Sequence, residues 1–278
     1  MGRELPLLNE LGTDLLQITW GQRLWTLLLP FLAMGGYWIF ALNGWWAGAV
    51  ISMMVLSFAT YGSTSHDLVH RSLGLPRGIN DRLLRLIELL SFRSGTAYRL
   101  THLHHHAHLL SPDDIEGSTA YGSVWKGIAD GPFMQIRLWL WAWRRSPESR
   151  TQLAVEATGV MLLLIACLVC IPWTVVPCGY AVLAIGGSWF FPFITVTIPH
   201  DSSGDSELTK TRYFRGWISR LIAFDHLYHL EHHLYPAVPH HHWKKLADRL
   251  DPVFRDHGIE PVTGKQSTGP NDRDSQAD

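Results

Sequence analysis

His229, His232 and His233 stand at i, i+3 and i+4, a spacing that a helix gathers into one arc of about 100°. Neutral imidazole is the commonest nitrogen donor to metals, so three rings aimed at one place can begin a metal site. Alone, the cluster reads equally well as a histidine-rich surface helix. The chain repeats the device, however. His102, His105 and His106 fall on one helical face, again within about 100°, while His104 and His108 fall on the opposite face and read as surface or supporting residues. His66 and His70, four residues apart, share a third face. His200 follows Pro199 by itself, and a single histidine is more often a local hydrogen-bonding residue than a ligand.

Motifs of two, three, one and three histidines make nine imidazoles. One structural or hydrolytic zinc needs only three or four ligands, so nine suit two metals with coordination positions to spare. Cysteine is absent from the motifs. Cys167, Cys170 and Cys178 lie in or beside an apolar run and read as small packing residues. Two redox metals with open positions suit oxygen activation. Carboxylates near the motifs could orient a ligand imidazole through its far nitrogen. Asp67 is such a candidate, or equally a surface acid at a helix end, and Asp113 and Asp225 are others; His226, on the same helical arc as His229, could reach the site or hydrogen-bond to it. His240, His241 and His242 follow Pro236 and Pro239 and read as surface residues.

These motifs need helices to present them. The 278 residues carry a net charge of −1, which gives no reason to expect nucleic acid as a partner. Lys and Arg are missing from Leu24 to Ser65 and again from Thr151 to Thr209, a membrane distribution. Apolar runs at 24–42, 45–65, 153–173 and 175–198 have spanning length. Asn43-Gly44 and the turn around Pro172 to Pro177 join them into two hairpins. The predicted fold is all-α: an integral membrane four-helix bundle with a cytoplasmic helical cap carrying the histidine motifs. Positive charge concentrated outside the short turns places the motifs and both termini in the cytoplasm. An amphipathic helix is expected from Asn80 to Phe92, capped by Asn80 or Asp81. It either lies in the membrane interface or covers the polar domain. Residues 115–150, rich in Trp and Arg, read as a membrane-hugging segment, and Glu156 as a snorkelling acid near a span end. Residues 1–23 carry no evident cleavable signal, residues 1–265 form one domain, and 266–278 read as a disordered tail.

The patterns HDxxH at His66 to His70, HxxHH at His102 to His106 and HxxHH at His229 to His233 resemble the histidine boxes of the membrane fatty acid desaturase superfamily. Within it, His-Leu-x-His-His-Leu-Tyr-Pro and the preceding Ile-Pro-His look most like the carotenoid ring hydroxylases and ketolases. The resemblance covers about residues 45 to 250. It implies two non-haem iron ions that use O2 and two electrons to desaturate or hydroxylate an unactivated C–H bond of a fatty acyl chain or carotenoid. It also implies that His200 is a further ligand. No cytochrome b5 motif or dinucleotide glycine pattern is present, so the electrons are expected from a separate donor of the ferredoxin or cytochrome b5 type. The rival readings are a histidine-rich metal transporter, disfavoured by spans almost free of ionisable residues, and a single-zinc membrane hydrolase.

Overall fold

The computed structural model describes residues 5–216 and 228–262. Among these residues the chain is helical with no strand, and four helices are long and apolar enough to cross a membrane. Helix α1 (Trp20–Leu42) starts four residues earlier than the apolar run, because Thr19 and Gln22 form a reciprocal cap. Asn43-Gly44 then reverses the chain. Gly44 has φ +76°, open to glycine at no steric cost, and the Trp45 amide donates to the Phe40 carbonyl at 2.8 Å.

The second span begins as α2 (Trp46–Met54), widens into a π-helix over Val55–Ser65 and ends as α3 (His66–His70). Such i→i+5 winding is rare and gathers at functional sites. Here small hydroxyl residues support it. Thr60 and Ser63 donate to the carbonyls four residues back, and Thr64 reaches across to the Thr26 carbonyl at 2.7 Å. A second π-helical stretch, Pro192–Thr197, ends the fourth span just before His200. Both π segments thus lead directly into histidines.

Helices α4 (Arg77–Leu90), α5 (Gly95–Ala107) and α6 (Val124–Arg145) follow, then the third span α7 (Arg150–Val169) and the fourth, α8 (Val176–Ser188). The third span stops at Val169 rather than 173, where the chain turns before Pro172. Outward-facing Leu32, Ile39, Met161, Leu162, Leu168 and Val182 are all more than half exposed. In a bilayer, that surface needs no further cover.

Several expectations are corrected in this region. Asn80 and Asp81 do not cap α4, which begins after Pro76; Asn80 is buried and donates to the Leu68 carbonyl at 2.7 Å, and Asp81 pairs with Arg71 at 2.6 Å. Glu156 does not snorkel. It is 3% exposed and accepts from the Thr96 amide (3.1 Å) and hydroxyl (2.6 Å) and from Ser94 and Gln152. Its charge therefore sits at the N-terminus of α5, where the helix dipole favours an anion.

The short α9 (His229–Leu234) ends before Pro236, and α10 (Trp243–Asp256) closes the described chain. The N-terminal segment is not idle: Leu11 and Leu15 pack with Leu230, Trp243, Leu246 and Phe254, and Asp14 pairs with Arg249 at 2.8 Å. Asp225, His226 and the 266–278 tail lie outside the described residues.

Candidate metal centre

The nine histidines converge, and they separate into two sets. His66, His70, His102, His106 and His232 form one; His105, His200, His229 and His233 form the other. Within each set, one ring nitrogen per residue lies within 4.8 Å of all the others. Helical geometry makes the division. In α5, His102 and His106 are one turn apart and enter the first set, while His105 is rotated into the second. In α9, His229 and His233 enter the second set and His232 the first. The sets adjoin, with the rings of His106 and His233 stacked at 4.3 Å. Trp243 packs over His66 and His232, at 5.3 and 5.1 Å.

His200 is held both by the end of the fourth span, where its amide donates to the Val196 carbonyl at 3.1 Å, and by backbone pairing with the loop that follows. It forms an isolated bridge with Thr211, and Arg212 donates to the carbonyls of Thr197 and Ile198 at 3.0 and 2.7 Å. Arg99 does the same at the end of α3, donating to the Leu68 and Val69 carbonyls. A cation on terminal carbonyls complements the negative end of a helix. Glu231 points away from the metal sets and anchors α9 to Arg215, which is held in turn by Asp251. Burial pushes the Glu231 carboxyl up to about 7 despite that partner.

Two carboxylates orient ring nitrogens. Glu116 accepts from His102 Nδ1 at 2.9 Å, and Asp114 from His105 Nδ1 at 2.7 Å. A carboxylate at Nδ1 puts the proton there and leaves Nε2 as a bare lone pair. The Val196 carbonyl does this for His200, at 3.0 Å. Of the candidates for this role, Asp67 instead binds the His240 amide and Nδ1, at 3.1 and 2.6 Å. Asp113 meets the outward-facing His104 (3.3 Å) and Arg145. Past the Ser111-Pro112 break, Asp114 turns inward to His105 while its neighbour Asp113 faces outward. Glu116 had no signal in spacing, since its approach depends on how the chain folds back after the break. His240, His241 and His242 are not free surface residues: they bond Asp67, Thr26 (2.8 Å) and the Gln17 carbonyl (2.8 Å), pinning the last helix to the first two spans.

The donor chemistry fits a cation in each set. His106 Nε2 lies 3.2 Å from His102 Nε2 and 2.8 Å from His232 Nε2, and His233 Nε2 lies 3.2 Å from His200 Nε2 and 3.1 Å from His229 Nε2. A shared proton can satisfy only some of these facing nitrogens. His70 Nε2 is buried without a hydrogen-bond partner among the described residues. Burial also drives His106, His200, His232 and His233 well below the ordinary histidine range, so these rings are neutral donors at neutral pH. His105 is the exception: burial opposes its charge, but Asp114 outweighs burial and holds it higher.

Because orienting partners set ligand basicity, Asp114→Asn is expected to weaken metal binding by about 10–100-fold in the four-histidine set, and Glu116→Gln similarly in the other. Metal titration of the purified variants, with stoichiometry followed by elemental analysis, would check this. Equal loss from both sets in either variant would contradict the pairing.

A family model described as fatty acid desaturase matches residues 43–263, which include all nine histidines. Dihydrorhizobitoxine desaturase from Bradyrhizobium elkanii is 26% identical over 232 residues, a match covering 70% of this chain and 65% of that protein. The chain thus spans just under two thirds of that relative's length.

Proposed function

The chain belongs to the fatty acid desaturase family, and from that premise we propose that it is a membrane oxidoreductase holding two non-haem irons. His66, His70, His102, His106 and His232 would hold one ion, and His105, His200, His229 and His233 the other. Bound there, the irons would supply the activation of O2 with two electrons needed to attack an unactivated C–H bond. The protein's own residues do the rest. Glu116 and Asp114 keep protons on Nδ1 of His102 and His105, so that Nε2 faces inward. Trp243 packs against His66, and Tyr98 packs 5.5 Å from His102 with Tyr61 stacked behind it at 4.6 Å, an aromatic cover that would limit water at the rings. Arg99 and Arg212 hold the two span ends in place.

The observation that carries this reading is the convergence of nine imidazoles from separate segments into two adjoining sets. The substrate is a lipid drawn from the bilayer. An acyl chain is favoured over a carotenoid by the family's description, and desaturation over hydroxylation by the relative's name. The electrons come from a separate donor of the ferredoxin or cytochrome b5 type. The histidine end of the bundle faces the cytoplasm, as the charge distribution favours.

Expression in a host that makes β-carotene, with fatty acids and pigments profiled together, tests the reading. New acyl double bonds with about two irons per purified chain are the expected result. Oxygenated pigments would shift the substrate to the carotenoid. Zinc alone at about one per chain, with turnover independent of O2, would overturn the proposal in favour of a hydrolase.

A further inference from the structure

On α7, the face opposite Leu153 and Glu156 carries an open groove of about 740 Å³. Leu153 and Glu156 are buried toward α5, whereas the groove runs along Arg150, Ala154, Thr158 and Leu162, about half a turn away around the helix. Leu89 of α4 and Trp143 at the end of α6 form its walls. None of its lining residues is a cluster histidine. Arg150 to Leu162 is about 18 Å along an α-helix, close to the roughly 15 Å hydrocarbon depth of one leaflet.

One end of the groove is cationic. Arg150 donates its Nε–H to the Trp143 carbonyl at 2.9 Å and lies 5.7 Å from that indole ring. This fixes the guanidinium at the mouth, and its terminal N–H groups have no acidic partner among the described residues. The stretch 144–150 holds three arginines against one acid, Glu148, and among the described residues only Arg145 is paired with a carboxylate, that of Asp113. The rest of the groove is continuous with the apolar outer surface of the span, where Val155 and Leu162 are 60% and 61% exposed.

We propose that this groove binds an anionic phospholipid, with one acyl chain along Ala154, Thr158 and Leu162 and the phosphate at Arg150. Arginine at the mouth of an apolar slot selects the headgroup by charge, and the slot selects the chain by length. The site is separate from the metal centre and does not depend on the reaction assigned there.

Native mass spectrometry of the full chain, purified in a neutral detergent, tests it with phosphatidylglycerol and phosphatidylcholine of identical chains. The wild type is expected to retain phosphatidylglycerol about fivefold more than phosphatidylcholine, and Arg150→Gln to abolish that preference. Ala154→Trp, at a position already exposed, should displace both lipids by filling the slot. Equal retention of the two lipids by the wild type would overturn the proposal. So would a preference unchanged in Arg150→Gln, or lipid retention unchanged in Ala154→Trp.

Discussion

His105→Ala is expected to lower bound iron from about two per chain to about one and to take product formation to background. His105 belongs to the set of four, so its loss leaves three imidazoles, and it also removes the ring that Asp114 holds at 2.7 Å. His232→Ala should have the same outcome through the other set, where its Nε2 lies 2.8 Å from His106 Nε2. His104→Ala supplies the control. Its ring stacks on His108 at 4.0 Å and leans on Trp141, outside both sets. Iron and activity should therefore survive that change. Elemental analysis of purified chains beside acyl-chain profiling of the expressing host would decide. Were His104→Ala to cost as much iron as His105→Ala, the division into two sets would be wrong.

The contrast between His104 and His105 was legible in the sequence because helical rotation is fixed: His104 falls roughly 160–200° from His102 and His106, whereas His105 falls within about 100° of both. The same arithmetic located the three boxes, and continuous apolar runs located the spans. The split into sets of five and four was harder to read. Within each box it follows from spacing, but His200 stands outside any box, at a span end where the 199–212 loop pairs back on itself. Supporting residues were least legible. Asp67 sits inside a box yet serves His240, 173 residues away, and Glu156 lies in a span yet caps the helix carrying the second box. A sequence shows that a charge is present, but its partner is set by packing between segments distant along the chain. Glu88 makes the point sharply. It reads as part of a polar helical face and is fully buried.

That burial leads to the largest expected effect on stability. Glu88 and Arg93 are 0% and 3% exposed, with Arg93 Nε 2.6 Å from Glu88 Oε2. Ser65, immediately before His66, donates to the other carboxylate oxygen at 2.6 Å, and the guanidinium lies 5.2 and 5.1 Å from the rings of Tyr61 and Phe191. Arg93→Ala would leave Glu88 buried without its counterion, a loss of about 3–5 kcal/mol. For a chain of this size that corresponds to a fall in melting temperature on the order of 10 °C. Replacing both partners by leucine removes the buried charge together with its counterion, and such exchanges are often nearly neutral. The double variant should therefore melt close to the wild type, while the single variant does not. It should still bind iron less tightly in the five-histidine set, because Ser65 loses the acceptor that steadies the start of α3. Thermal unfolding of the three proteins in one detergent, with iron measured before heating, separates the two contributions. A double variant as unstable as Arg93→Ala would mean that the pair is a binding element of the fold in its own right, rather than a charge whose burial is made tolerable by its partner.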